Sequence, residues 1–295
     1  MMLWFGTRRR ATPLALTAAG CLLLSGALVP SPGPAVTFFS IGQGDSSLLT
    51  LADGRHLLVD GGGLYGDRFD VGERLLLPAL ARLGVSRLDA VVLTHDHPDH
   101  RKGLLAVLRS LEVGEFLSGT DPAHLDAQLR RVIAETGVPV RTLAPGWHHY
   151  AGTEDAEEEV RLYVPPRTLP DENDRSIVLY HRFGGQGTLL TGDLEAAGVR
   201  HFVDSAPKLP LALLKLPHHG SRYSRSELLL DTFAPSIVAV SAGYDNPYHL
   251  PATQLLEAVA LRDIPLYRTD LDGTVRVDLS VDGYSVERWQ RGLFR

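Results

Sequence analysis

Hydrophobic and polar positions along the chain predict two series of strands, each followed by helices, beyond residue 35. Short apolar or alternating runs bounded by turn residues predict β-strands at residues 36–41, 46–51, 57–60, 88–93, 140–143, 160–164, 176–181, 188–191, 211–216, 236–240 and 266–269, with two more within 273–289. Helices are predicted at residues 73–83, 101–111, 122–135, 224–233 and 251–262. This order predicts an α/β fold in which two sheets pack together with helices outside.

Three local features qualify this pattern. Pro78 lies inside the first predicted helix, where it predicts a kink or an early stop. His148 and His149 fall in a segment flanked by Gly and Trp, which we expect to be a surface loop. The acidic run Glu154–Glu159 is predicted to be a solvated loop.

Residues 1–30 differ from the rest of the chain. Three arginines, Arg8–Arg10, precede the uncharged segment Ala11–Val29, and no acidic residue occurs before Asp45. This segment is about long enough to cross a bilayer core, which takes roughly 20 residues. It is predicted to be either a transmembrane anchor or a signal segment, and a buried core helix is the alternative.

Cleavage of this segment is left open by the sequence. Residues 25–27 offer a small-residue cleavage site, and residues 18–21 resemble a lipoprotein site, although the apolar run continues past Cys21. The arginines place the N-terminus in the cytoplasm, so the remainder of the chain is expected on the periplasmic or extracellular side, either anchored in the inner membrane or exported. Residues 31–35 predict a stiff Pro-rich linker, and residues 36–295 the folded domain.

Composition narrows the candidate chemistry. The 295 residues carry a mild net charge of −6, which argues neither for nor against a nucleic-acid partner. The single cysteine, Cys21, excludes a disulfide framework and a thiolate zinc site. Any metal must therefore be held by His, Asp, Asn or water.

The most informative segment is Thr94–His100, which holds three imidazoles and two carboxylates. It follows the apolar run Leu88–Leu93, so a buried strand is predicted to deliver a polar loop to a site. Histidines at alternate positions followed by Asp and His supply enough ligands for two adjacent divalent metals. A polar surface loop is the alternative, but buried strands rarely end in such groups without a partner.

Polar residues also end three other apolar runs. Asp193 follows residues 189–192, His218 and His219 follow residues 213–217, and His249 follows the strand predicted at 236–240. Four strand ends that carry donor atoms are the pattern expected when one edge of a sandwich hosts a site.

These segments resemble the metallo-β-lactamase superfamily and, more narrowly, the C-terminal hydrolase domain of ComEC-type DNA-uptake competence proteins. The matching segments are residues 36–45, 59–62, 94–100, 173–176, 190–193, 217–221 and 267–270. The resemblance implies an αββα sandwich over residues 36–295, preceded by one N-terminal hydrophobic helix. It also implies two divalent metal ions, zinc or manganese, as cofactors.

The resemblance assigns roles to individual residues. His95 and His97 would bind the first metal, Asp99 and His100 the second, and Asp193 would bridge both. One of His218 and His219 would complete the second site; we favour His219, although the sequence does not separate them.

Further residues are expected around these ligands. Asp60, Asp45 and Ser221 are expected behind the ligands, where a carboxylate can orient an imidazole. Asp99 and Asp193 are also expected to take part in catalysis. Glu195 and His249 are candidates for contact with substrate; a helix-start carboxylate and a surface histidine are the respective alternatives.

The chain departs from the family pattern at one position. Many members carry a third imidazole for the first metal between the histidine cluster and the bridging Asp. Here that segment is Asn173–Ser176, so Asn173, one of His148 and His149, or water would take its place. Oxygen ligands at this position would favour manganese over zinc.

The resemblance implies a metal-dependent phosphodiesterase, a DNA nuclease of the DNA-uptake type that uses a metal-bridged hydroxide. One alternative is an exported hydrolase of the same fold acting on a cell-wall phosphodiester or a lactone. Another is a non-catalytic partner of a separate DNA channel, although the retained ligand set argues against it. ComEC-type proteins normally carry a multi-helix channel, so the expected partners are DNA, a membrane reached through the N-terminal helix, and a separate channel protein.

Overall fold

Two β-sheets lie face to face in the computed structural model, which describes residues 33–64, 66 and 69–289. The predicted N-terminal helix, the first two residues of the predicted linker and the last six residues of the chain lie outside the described residues. Among the described helices, none is both long and apolar enough to cross a membrane.

The strands of the described residues are, in chain order, β1 (Ala35–Phe38), β2 (Ser47–Thr50), β3 (His56–Val59), β4 (Arg87–Leu93), β5 (Glu112–Ser118), β6 (Val140–Thr142), β7 (Gly146–Ala151), β8 (Glu158–Val164), β9 (Val178–Phe183), β10 (Gln186–Leu190), β11 (Leu213–Lys215), β12 (Ile237–Val240), β13 (Leu266–Arg268), β14 (Thr274–Ser280) and β15 (Gly283–Trp289). The helices are α1 (Leu77–Arg82), α2 (Pro98–Ser110), α3 (Ala127–Thr136), α4 (Ala196–Ser205), α5 (Ser226–Phe233), α6 (Thr253–Ala260) and α7 (Thr269–Asp272).

The strand order brings several strand ends to one edge. The first sheet runs β15-β14-β1-β2-β3-β4-β5-β6, and the second runs β13-β12-β11-β10-β9-β8-β7. Strands β3 to β6 are parallel, as are β10 to β13. Parallel neighbours end at the same edge of a sheet, so the segments after β3, β4, β10, β11 and β12 can converge.

Three apolar layers hold this arrangement together. Both sheets contribute to the central layer, which includes Val36, Leu57 and Leu213. The first sheet packs its other face on α1, α2 and α3, and the second sheet packs on α4, α5 and α6. The predicted αββα sandwich is therefore confirmed.

Local predictions differ from the structure at several points. The predicted helix 122–135 divides into a 3₁₀ turn at Pro122–His124 and the helix α3, because the side chain of Asp126 accepts the N–H groups of Gln128 and Leu129 and starts a new helix. Helix α2 begins at Pro98, before the predicted start at residue 101, so His100 lies in its first turn. Helix α1 follows a π-helical turn at Gly72–Leu76, which leaves Pro78 in the tolerated first turn of the α-helical segment.

The predicted loop at Glu154–Glu159 was wrong for its last two residues, which begin β8. Glu159 is buried and pairs with Arg161 and Arg182, so its charge is balanced by partners that lie farther along the chain. Strands β5 and β7 and helix α4 were not among the predicted elements.

Helix α2 packs unusually closely on the loop after β3. Gly61 N–H donates to the carbonyl of His100 at 2.6 Å, and Gly103 N–H donates to the carbonyl of Gly62 at 2.9 Å. A Cβ atom at Gly103 would overlap the carbonyl oxygen of Gly61. Glycine at this position therefore fixes how deep the first turn of α2, with its polar residues, sits.

Substituting Gly103→Ala should lower the free energy of unfolding by about 1–3 kcal/mol, the usual cost of overpacking. Urea unfolding followed by circular dichroism measures the change. Gly185→Ala is the matched control, because a methyl group there has no described atom within 4 Å. A loss at Gly185 equal to that at Gly103 would contradict the close-packing explanation.

Candidate metal centre

Five segments place polar side chains at the shared edge of the two sheets. Asp60 follows β3, residues 94–97 follow β4, Asp193 follows β10, and residues 218–219 follow β11. Asp45 belongs to the turn between β1 and β2, and its N–H donates to the carbonyl of Asp99 at 3.1 Å. Residues distant in the chain therefore meet at one place.

Asp99, His100, Asp193 and His219 form one group, with one potential ligand atom from each lying within 4.8 Å of the others. His100 Nε2 lies 3.2 Å from Asp193 Oδ2. His219 Nε2 lies 3.4 Å from Asp193 Oδ2 and 3.4 Å from Asp99 Oδ2. We call these four residues the inner cluster.

Hydrogen bonds from behind determine which ring nitrogens face the inner cluster. His100 Nδ1 lies 2.8 Å from Asp60 Oδ2, and His219 Nδ1 lies 3.0 Å from the carbonyl of Ser241. A carbonyl and an ionised carboxylate only accept hydrogen bonds, so each Nδ1 carries the proton. Each Nε2 then faces Asp193, where it would bind a metal once it has lost its proton.

His95 is oriented in the same way by hydroxyl groups. Its Nδ1 lies 3.1 Å from Thr94 Oγ1 and 3.2 Å from Ser176 Oγ. The Thr94 hydroxyl already donates to Asp60 Oδ2 at 2.7 Å, so it accepts from His95. Burial and the nearby His100 ring lower the pKa of His95 well below its ordinary value, which keeps the imidazole in the neutral form that binds metals.

A buried lysine balances part of the negative charge. The ammonium of Lys215 pairs with Asp45 Oδ2 and donates to the carbonyls of Gly192 and Leu216. Burial raises the pKa of Asp45, but Lys215 and His219 outweigh burial and lower this pKa to about 2. Burial lowers the pKa of His219, yet the carboxylates of Asp193 and Asp45 raise it to about 10.

Two histidines lie nearer the surface, each beside a carboxylate. His97 has a 33% exposed side chain, and its Nε2 lies 3.5 Å from Glu172 Oε2. His218 is 25% exposed, with Nδ1 3.0 Å from Glu195 Oε1 and Nε2 3.9 Å from Asp193 Oδ2. These residues form the mouth of the site.

The two adjacent histidines occupy different positions because of the backbone between β11 and α5. Both His218 and His219 have left-handed backbone angles, with φ of 49° and 53°. Such angles are unfavourable for residues other than glycine, and strain of this kind collects at functional sites. The turn sends His219 into the buried inner cluster and leaves His218 at the mouth.

The remaining candidates are placed unequally. Asn173 is buried, its Oδ1 lacks a hydrogen-bond partner among the described residues, and its Nδ2 donates to Glu195 at 3.4 Å. The Ser221 hydroxyl accepts from Tyr223 N–H and caps a short turn. His249 is exposed on the loop after β12. His148 and His149 lie on the edge strand β7, which corrects their predicted loop.

Three contributors were not predicted from the sequence. The sequence could have identified Lys215, since a lysine inside an apolar strand needs a buried partner. No sequence pattern identifies Ser176 or Glu172, because their contacts with His95 and His97 depend on how the sheets pack.

The inner cluster and its neighbours fit a divalent metal site. Among the described residues, several buried ligand atoms lack a hydrogen-bond partner: His95 Nε2, His100 Nε2, His219 Nε2, Asp99 Oδ1 and Asp193 Oδ1. Buried polar atoms are normally paired. Imidazole nitrogens and carboxylate oxygens that converge in this way are the donors that zinc and manganese accept.

Substituting His219→Asn should reduce metal content and affinity more than His218→Asn, because only His219 presents Nε2 to the inner cluster. Asn tolerates left-handed backbone and is too short to replace Nε2. The loss should exceed the roughly 10–100-fold typical of groups that merely orient a ligand. Elemental analysis after dialysis against zinc or manganese measures it. A greater loss in His218→Asn would contradict this assignment.

Removing the ammonium of Lys215 should destabilise the protein by leaving Asp45 buried and unpaired. Lys215→Met is expected to lower the free energy of unfolding by about 3–5 kcal/mol. Adding Asp45→Asn should restore part of that loss. Urea unfolding in EDTA measures both variants and Asp45→Asn alone. Strictly additive effects would show that the two groups do not interact.

Comparison with known proteins agrees with this geometry. Residues 40–243 match the family model of the metallo-β-lactamase superfamily. The chain is 30% identical over 259 residues to ComE operon protein 3 of Bacillus subtilis (strain 168), covering 82% of this chain and 32% of that protein. It is 31% identical over 292 residues to Competence protein ComA of Neisseria gonorrhoeae, covering 95% of this chain and 38% of that protein. The chain thus spans about a third of the length of these relatives.

A solved structure shares the fold. CmlA, a diiron beta-hydroxylase from Streptomyces venezuelae, superposes with a TM-score of 0.53 at 14% identity, covering 88% of this chain and 54% of that one. Because the family match extends over most of the two-sheet domain, the chain belongs to the metallo-β-lactamase superfamily.

Proposed function

We propose that this chain is a metal-dependent phosphodiesterase, a DNA nuclease of the DNA-uptake type. The observation that carries the proposal is the inner cluster, whose ligand atoms converge without hydrogen-bond partners of their own among the described residues. A domain that only bound a partner would have no use for so many buried, converging donor atoms.

The candidate ligands divide into two proposed sets. Asp99, His100 and His219 would hold one metal, called the deeper one, and His95 and His97 would hold the other, called the outer one because His97 is partly exposed. Asp193 lies against His100 and His219 and would be shared between the two sets. An oxygen from Asn173 or the neighbouring Glu172 would complete the outer set, since Glu172 lies against His97 and Asn173 has an Oδ1 without a partner among the described residues. Oxygen ligands of this kind favour manganese.

Divalent cations bound here would lower the pKa of a water toward neutrality and neutralise phosphate oxygens. The protein's own contribution is to orient and to transfer protons. Asp60 fixes the tautomer of His100. At the mouth, Glu195 orients His218. His218 is the group that can donate a proton to the leaving oxygen.

Two observations favour DNA as the phosphodiester. One relative bears the name Competence protein ComA. In addition, three tyrosines are more than half exposed on the loops after β11 and β12, Tyr223, Tyr244 and Tyr248. The guanidinium of Arg222 lies 5.0 Å from the Tyr223 ring centre. Exposed aromatic rings beside cations are the platforms on which single-stranded bases stack.

The cellular setting is proposed from the same relatives. We propose that the chain works with a separate channel protein that moves the DNA, since one relative is named Competence protein ComA. We place the hydrolase domain on the outer side of the inner membrane, tethered or exported through the first 30 residues. A cell-wall phosphodiester or a lactone is the competing substrate, and docking onto the channel without catalysis is the competing role.

Wild-type protein loaded with manganese or zinc should hydrolyse single-stranded DNA, and EDTA should abolish the activity. Asp193→Asn should lower kcat/KM by about a thousandfold, because metal stabilisation is worth several kcal/mol and each 1.36 kcal/mol is tenfold. Activity should fall as the salt concentration rises, because salt weakens the binding of proteins that contact phosphates. A gel assay with labelled oligonucleotides measures these effects.

Asp282→Asn, in the exposed turn between β14 and β15, is the matched control and should retain wild-type activity. The wild-type protein is also assayed on three other substrates: a simple phosphodiester, a lactone and a β-lactam. Faster turnover of the lactone than of DNA would contradict the nuclease, and metal binding without any turnover would favour the non-catalytic role.

A further inference from the structure

A cavity of about 290 Å³ opens beside the metal centre and is not used by any role described so far. Its walls come from the segments after β4, β5 and β8, at the same edge of the sandwich as the inner cluster. His95 and Glu172 line it, which makes it continuous with the outer metal ligands. Arg167 and Arg175 line it as well.

Both arginines are anchored by neutral groups. Arg175 Nη1 donates to the carbonyls of Leu169 at 2.7 Å and Pro170 at 3.2 Å. Arg167 Nη2 donates to the carbonyl of Gly119 at 3.3 Å. In the part of the chain that the structure describes, neither guanidinium has a carboxylate oxygen within 4.0 Å. By contrast, Arg101, Arg161 and Arg182 each pair with carboxylates.

The acidic residues of the cavity are already engaged. Glu172 lies against His97 and accepts the N–H of Asp96 at 3.3 Å. Asp121 accepts the N–H of Ala123 at 2.8 Å and caps a 3₁₀ turn. His97 and, to a smaller extent, Arg175 contribute to the lowered pKa of Glu172, but neither arginine pairs directly with a carboxylate among the described residues, so their remaining N–H groups can reach an anion that enters from the metal side.

We propose that this arginine pocket binds a phosphate group of the nucleic-acid strand next to the phosphodiester being cleaved. The inference rests on the proposed function, because it places a flanking phosphate beside the metal ligands. A guanidinium has five N–H donors in a planar fork that matches phosphate geometry, and the carbonyl anchors occupy only one or two of them. The volume, close to the lower end of the roughly 300–1,000 Å³ typical of ligand sites, accommodates a phosphate with its sugar.

The first test is binding of a fluorescein-labelled single-stranded 12-mer to the full chain in EDTA, measured by anisotropy. Arg167→Gln and Arg175→Lys should each weaken binding by about tenfold, as loss of a charge-assisted hydrogen bond predicts. Arg167→Gln, which removes a charge, should also reduce the slope of log Kd against log salt by about 1. Arg175→Lys keeps the positive charge but loses the planar fork of N–H donors. It therefore distinguishes bidentate hydrogen bonding to a phosphate from general electrostatic attraction.

Arg87→Ala is the matched control. Arg87 is exposed and begins β4, whereas His95 follows the other end of that strand, roughly 20 Å away at about 3.3 Å per residue. Its binding should equal that of wild type. Thermal unfolding of each variant verifies that the fold is retained.

The second test compares two substrates with metal present. For the oligonucleotide, the arginine variants should raise KM about tenfold with little change in kcat. For bis(4-nitrophenyl) phosphate, which has no flanking phosphate, kcat and KM should remain within twofold of wild type.

The outcomes separate the two proposals. Wild-type binding of the 12-mer by the arginine variants overturns the arginine pocket, whatever the catalytic activity. An equal loss on both substrates also overturns it, because the arginines would then act on the reacting phosphate. Arginine-dependent binding without hydrolysis of either substrate leaves the phosphate pocket standing and rejects the proposed phosphodiesterase.

Discussion

The site depends on negative charge held out of water. Asp45, Asp60 and Asp193 are buried and Asp99 is largely so, while Lys215 is the one ammonium among the described residues that pairs with this group. Carboxylates in such a place are stable only with cations or with extensive hydrogen bonding. The carboxylates outnumber the ammonium groups, and the Nε2 atoms of His95, His100 and His219 have no hydrogen-bond partner among the described residues, so the folded chain is suited to bind a metal.

The fold meets this constraint by combining rigid elements. Parallel strands from both sheets end at one edge, and helix α2 begins there with Asp99 in its first turn, where the helix dipole stabilises an anion. The close contact of Gly61 with Gly103 sets the depth of that turn. Left-handed angles at Asp60 and at the two adjacent histidines then aim individual side chains, and the surrounding hydrogen bonds offset the strain.

The sequence was sufficient to predict the layers and to predict that several of its histidines and aspartates meet at one edge, because apolar runs that end in His and Asp indicate both burial and a polar site. It was insufficient where long-range packing decides. His218 and His219 are chemically identical neighbours, and the left-handed turn alone separates them. Glu159 belongs to an acidic run of the kind usually found in solvated loops, yet it is buried and its carboxylate pairs with Arg161 and Arg182. Lys215 acquires its partner Asp45 from another sheet, which local pattern does not encode.

The two halves of the proposed metal pair differ in a way that bears on catalysis. The deeper set would include His100 and His219, whose rings are buried and held by hydrogen bonds, so that part of the site is preorganised. The outer set would include the partly exposed His97 and an oxygen from Glu172 or Asn173. That side also adjoins Arg167 and Arg175. A phosphate would then be bound and polarised mainly on the outer side, while the deeper side would keep the ligands in position.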